Sequence, residues 1–385
     1  KVVDSNIFQN ISLFDILFED NFQVLEYVSD LIPYSRAELF GTALLNAAIY
    51  KKCEEKLLAK MISIELNNID ESTKTTLFRG NSVSARIVTQ YPRLIGTKWM
   101  SDFLKPIFLD VIKTCNAKGN IYNIERGTNI ESNRENFKNL LYQFVDVIDD
   151  QSYKMPIGIM KEMKLLYEMV YEIYGDFAFQ ILNGFYFLRF MFPVFTIPNL
   201  IGLPKTIPEI PRVVFLQISS FLMTATLKGN LDDKGPNYQF FNEIAEYAHS
   251  KFMKMFHFIV ESELPDSFPS IPVNEIVTRN TIHAELWPIQ QQIVKGILEI
   301  ENDNHLKESL EILLNKIQSL GQPKALVRTR CATMSKVDAD PSSNLGTLLN
   351  MNFSKEQLQK LSGFLVHENH NANDGSSIIY LFMDK

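Results

Sequence analysis

The chain is 385 residues long and carries 38 basic and 45 acidic side chains, for a formal charge of −7. That balance argues against a nucleic-acid binder, whose footprint is a basic excess. The 46% hydrophobic and 22% charged fractions are those of a folded chain, and at roughly 100–200 residues per domain the length suggests two or three packed units. Arginine is scarce, eleven against 27 lysines. Three dispersed cysteines, Cys53, Cys115 and Cys331, support neither a disulfide framework nor a zinc site, and they fit a reducing, cytoplasmic compartment.

In chain order, the periodicity predicts an all-α protein. Residues 1–30 alternate apolar with acidic positions and lack the basic start and continuous apolar run of a signal peptide. The missing initial methionine reads as a fragment of something longer. Residues 67–76 (NNIDESTKTT) form a polar turn that leads into TLFRGNSVSARIV. There Leu77 and Phe78 anchor a loop to the core, Arg79 stands at its tip and Gly80 allows a sharp backbone path. Asn81 or Ser82 then supplies the N-cap of the next helix, its side-chain oxygen taking an orphan amide of the first turn.

Residues 116–136 read as a long polar segment. Residues 137–148 and 157–174 repeat apolar side chains at helical spacing, the stripe of helices packed on one side. Residues 178–203 contain a single charge, Arg189, over a length that could cross a bilayer. The central arginine and the interrupting Pro193 and Pro198 favour a buried helix instead. Helical pattern returns at 213–227, 238–261 and 282–300, separated by proline-rich breaks at 198–211 and 263–272. Beyond residue 320 the expectation is a loop over 321–351, a short helix over 353–364 and a strand with nothing to pair with over 376–384.

No phosphate-binding glycine loop, dinucleotide fingerprint, metalloprotease or nucleophile-elbow motif is present in the sequence. The six histidines have no cysteine or carboxylate partner at ligand spacing and read as core or surface residues. Taken singly, Arg79 reads as a solvated loop arginine. Arg189 reads as a member of a structural ion pair, because a buried guanidinium must find partners for its planar fork.

Taken together, the two sites resemble a known family. LFRGNSVSARIV followed by YPRLIGTKWMSDFLKPIFLDVI, and about 100 residues later FLRFMFPVFTIPNL, are similar to the arginine-finger loop and the FLR block of Ras GTPase-activating domains. The similarity runs from about residue 20 to 320, and the LFRGNS block is most like neurofibromin and its fungal counterparts. The resemblance implies an all-α helical array, with a catalytic domain over 46–279 and a flanking subdomain built from 1–45 and 280–320. A linker and the start of a Sec14-like module would follow over 321–385.

It also implies stimulation of GTP hydrolysis by a GTP-bound Ras-family GTPase, with GTP and magnesium belonging to that partner and no cofactor or metal of the domain's own. Arg79 would enter the GTPase in trans, and its backbone carbonyl would help orient the glutamine that positions water. Arg189 would donate to carbonyls of the finger loop. Leu77, Phe78, Gly80, Asn81 and Ser82 would shape the loop; Phe187, Leu188 and Pro193 would be core, with Pro193 ending its helix. The helix from Arg212 keeps that arginine, but Ser219, Leu222 and Thr226 stand where the family carries polar residues facing the GTPase or the finger region. Lys228 and Lys234 lie nearby, as compensating contacts or as solvated surface. The alternative is a non-catalytic GTPase-binding scaffold of the same fold. The expected location is cytoplasmic, with recruitment to the inner face of membranes through other parts of the parent protein.

Overall fold

Helix limits follow from caps and breakers. In the computed structural model, which describes residues 11–69, 74–125, 129–232 and 235–323 and the backbone of 327–330, 368–369 and 378–381, Ser12 opens α1 (Leu13–Leu17) through a capping box with Asp15. The chain continues with α2 (Gln23–Leu31), α3 (Tyr34–Lys51) and α4 (Glu54–Asn67). Helix α5 (Val83–Lys118) runs unbroken through Pro92 and Pro106, each of which withdraws one i−4 hydrogen bond without ending it. Then come α6 (Ile130–Ser152), α7 (Ile157–Tyr174) and α8 (Ala178–Asn183).

An eight-residue π-helical segment, Gly184–Met191, follows directly on α8 and leads to α9 (Pro193–Thr196). After it lie α10 (Glu209–Lys228), α11 (Pro236–Gln239), α12 (Asn242–Glu261), α13 (Glu275–Leu286), α14 (Gln290–Glu299) and α15 (Asn304–Ser319). The fold is all-α, with three short strands near the C-terminus: β1 (Val327–Arg330), β2 (Glu368–Asn369) and β3 (Ile378–Leu381), antiparallel in the order β1-β3-β2.

Two units share the chain. Lys1–Glu65, Arg79–Val88 and Ser270–Lys385 form the first; Leu66–Phe78 and Thr89–Pro269 form the second. In the first, α13 lies along α3 and α15 packs on α1 and α2. Arg36 of α3 pairs with the buried Glu285 of α13 at 2.7 Å and donates to the carbonyls of Ala284 and Glu285.

The core of the second unit is aromatic. Phe108, Phe144, Phe195 and Phe215 meet at centroid separations of 4.2–5.9 Å. Phe187 meets Phe252 at a tilt, centroids 4.7 Å apart, and Tyr186 meets Phe256 edge-on. Each such pair contributes about 0.5–1.5 kcal/mol beyond its burial. Helices α5 and α7 approach closely through two glycines. A Cβ on Gly96 would fall 2.6 Å from Ile159 of α7, and one on Gly158 would fall 2.7 Å from Ile95 of α5.

Several sequence expectations are corrected. Residues 178–203 are buried for the most part, but they form α8, the π segment, α9 and the 3-10 turn Pro198–Ile201 instead of one helix. The pattern over 282–300 breaks at Pro288, the middle residue of the 3-10 turn Trp287–Ile289. The polar segment 116–136 is shorter than expected: α5 extends to Lys118, and α6 begins at Ile130. Asn133 and Asn136 in its first turns reach back to the carbonyls of Asn123 and Ile121. Residues 327–330 form a strand where a loop was expected, and β3 is paired on both sides. The helix expected over 353–364 lies outside the described residues. Two runs, Ile157–Thr196 and Glu209–Lys228, are long and apolar enough to cross a membrane by length and composition; most of the first is buried within the fold.

Candidate functional site

The Arg79 loop is built from its neighbours. The 3-10 turn Lys74–Thr76 precedes it, and Lys74 Nζ sits 4.3 Å from the centroid of Phe177. Leu77 and Phe78 are buried. Phe78 adopts a left-handed backbone, φ 58°, a conformation that costs a bulky residue about 1–3 kcal/mol. Burial of its ring offsets that cost: Phe78 is 1% exposed and meets Phe185 of the π segment edge-on at 5.8 Å. The next two residues, Arg79 and Gly80, are exposed.

On the far side of the loop, Ser82 is the N-cap of α5. Its Oγ accepts from the Ala85 amide at 3.1 Å and donates to Glu65 at 2.5 Å. Ser84 donates to the same buried carboxylate oxygen. Asn81 is exposed and accepts from Arg86 at 2.6 Å, so it steadies the first turn from outside and is not the cap. The sharp path also passes elsewhere than expected. Gly80 has no positive φ and its Cβ position is open to 3.9 Å, whereas Phe78 takes the left-handed turn.

The second arginine stands in the π segment. Phe187 is fully buried, and Leu188 and Arg189 are half-buried. The π spacing is carried by the Phe192 amide, which donates to the Phe187 carbonyl at 2.7 Å. Pro193 is half-buried and opens α9, so it starts one helix at the point where another stops. The carbonyl of Arg189 accepts from Arg93 at 2.8 Å.

On α10, Arg212 is exposed and Ser219 is half-buried, its hydroxyl donating to the Leu216 carbonyl. Leu222 and Thr226 face the core. Thr226 is 1% exposed, and its hydroxyl donates to the Met223 carbonyl. Its own carbonyl accepts from Asn183 at 2.8 Å and lies 2.8 Å from the His249 ring. Thr226, expected to serve GTPase binding or loop support, is thus turned into the core and not onto the surface. Helical periodicity carries Phe215, Ile218, Leu222 and Ala225 inward, and Thr226 turns in beside them. Lys228 is exposed, and Lys234 lies outside the described residues.

The structure brings Phe78 and the FLR block together through Phe185, joining motifs separated by about 100 residues. Phe185, the first residue of the aromatic run around Arg189, had no contact assigned from sequence, and two contributors escaped that reading: Glu65 and Arg93. Pro193 held a signal for the last, because a proline in a helical run leaves a carbonyl that needs another donor. Among the described residues, no cluster of histidine, cysteine and carboxylate could hold a metal ion. Burial pushes both described thiols up, that of Cys53 to about 11, so neither is a ready nucleophile.

No protein-family profile matches the chain. It is similar to Ras GTPase-activating protein 1 of Homo sapiens, at 22% identity over 265 residues, covering 66% of this chain and 24% of that protein. Ras GTPase-activating protein 2 of Homo sapiens is 24% identical over 199 residues, covering 50% of the chain and 22% of that protein. Inhibitory regulator protein IRA1 of Saccharomyces cerevisiae is 22% identical over 163 residues, covering 42% of the chain and 5% of that protein. The chain thus spans a quarter or less of the length of these relatives. With the all-α fold, these low-identity matches support a RasGAP-like domain.

Proposed function

We propose that this domain stimulates GTP hydrolysis by a Ras-family small GTPase in its GTP-bound state by inserting Arg79 in trans. The observation that carries the reading is the placement of Arg79. Its side chain is exposed, while Phe78 before it is fixed in an aromatic core and Ser82 after it is fixed by a cap and a carboxylate. A GTPase of this class binds its own GTP and magnesium but leaves transition-state charge on the phosphoryl oxygens incompletely stabilised. A guanidinium delivered from outside supplies that stabilisation; the reference case is the Ras–GAP pair itself, for which the acceleration is about 10⁵-fold. Delivery requires a loop whose geometry is set beforehand, since preorganisation is the larger part of such catalysis.

In this reading the Arg79 carbonyl helps orient the GTPase glutamine, and Arg189 donates to carbonyls of the loop. We further propose, from the likeness of the LFRGNS block, that the domain is of the neurofibromin-like group and acts in the cytoplasm at the inner face of membranes. The test is single-turnover GTP hydrolysis by a panel of Ras, Rap and Rho-type GTPases, with and without the domain. Acceleration with at least one Ras-family member supports the reading. Tight binding without acceleration would make the domain a scaffold and overturn it.

A further inference from the structure

Arg189 sits where its helix loses a donor. In α spacing the Arg189 carbonyl would accept from the amide of residue 193, but residue 193 is proline and has none. Arg93 of α5 fills that place, its Nη2 lying 2.8 Å from the carbonyl oxygen. The next turns of the same helix follow the same segment. Gly96 lies so close that a Cβ would fall 2.6 Å from Phe190, and the Trp99 ring stacks over Phe190 at 6.3 Å and 10°. One stripe of α5, at positions 93, 96 and 99, therefore tracks the π segment, and Arg93 provides its directional contact.

We infer that Arg93 is a positioning residue: by donating to the Arg189 carbonyl where Pro193 withdraws the helical donor, it sets the register of the π segment. Through that register it sets the placement of Arg189 and of Phe185, on which Phe78 leans at the base of the Arg79 loop. π segments are short, poorly bonded helical forms that recur at functional sites, and the fixed registration of this one needs an external partner. A guanidinium suits that role because it stays charged and its planar fork fixes the direction of donation. The inference rests on the reading of Arg79 as the inserted group.

The test compares the parent, Arg93→Met and Arg93→Lys, all carrying Trp287→Phe so that Trp99 alone reports on the π segment. Arg93→Met keeps an apolar stem and loses the donor; Arg93→Lys restores a donor. The expected result is a fall of about 10–100-fold in the saturated rate of GTPase stimulation for Arg93→Met, the scale for small misplacements of catalytic groups. The half-saturating concentration stays within about threefold, since docking is untouched. Trp99 emission shifts in Arg93→Met, and Arg93→Lys brings both rate and emission back toward the parent. An unchanged rate and emission in Arg93→Met would overturn the inference, as would Arg93→Lys behaving like Arg93→Met. If the parent domain accelerates no GTPase, the functional reading falls by itself. Positioning is then decided by Trp99 emission and by amide exchange at Leu77 and Phe78: faster exchange in Arg93→Met upholds it, unchanged emission and exchange refute it.

Discussion

In the Arg79 loop the side chain is left to solvent and the neighbours are pinned; in the π segment the side chain is half-buried and its carbonyl is held by another arginine. Both placements suit a guanidinium, for different reasons. The first keeps a permanent charge available to an external partner. The second stands half-buried, where the donors of a planar fork call for acceptors. What separates them is the coupling of function to stability. Removing the exposed arginine should change chemistry alone, and removing the half-buried one should change both.

The largest effect is expected at the loop. Arg79→Ala should lower stimulated hydrolysis by about 10³-fold or more while leaving the melting temperature unchanged, because the side chain is exposed. A parallel loss of melting temperature would break the contrast. Arg189→Ala comes next: a loss of about 10–100-fold in rate, together with destabilisation of about 1.5–3 kcal/mol from acceptors left unmatched. At about 2–4 °C per kcal/mol that is readable by calorimetry. An unchanged melting temperature would place Arg189 in the same class as Arg79.

Gly96→Ala sharpens the comparison from the packing side. The added Cβ would meet Ile159 and Phe190, costing about 1–3 kcal/mol by overpacking. Denaturant titration should find that loss, and because the Cβ presses on Phe190 of the π segment, the stimulated rate should fall with it, though by less than in Arg93→Met.

The smallest effect is a gain. Glu162 of α7 is fully buried, and burial pushes its carboxyl well above the ordinary 4.5. The unfolded chain ionises first as pH rises. The stability held at low pH is therefore lost progressively from about the ordinary glutamate value upward. Glu162→Gln should melt like the parent at pH 4 and higher than the parent at pH 8. Equal melting temperatures at pH 8 would contradict the assignment of a costly buried carboxyl.

Much of this was legible in the sequence. Apolar spacing located α6, α7, α10 and α12, because a helix packed on one face repeats its buried positions. Leu77 and Phe78 were legible as anchors for the same reason, two large apolar residues in a polar stretch. The first turns of α6 were not, since their polar side chains bind a neighbouring loop and show no apolar stripe. The π segment was invisible too: its buried residues run almost continuously through Phe185, Tyr186 and Phe187, and carry no period to read. The inward turn of Thr226 was not legible, because a lone threonine beside a core stripe gives no sign of which way it faces. Glu65 and Arg93 could not be paired with Ser82 and Arg189 from spacing, since those contacts span 17 and 96 residues.

The central claim is that Arg79 acts on a partner's GTP. Single-turnover hydrolysis by a GTP-loaded Ras-family GTPase, with a saturating excess of the domain, tests it directly. The predicted result is acceleration of about 10³-fold or more that disappears in Arg79→Ala while binding of the GTPase persists. Equal rates for the parent and Arg79→Ala would contradict it.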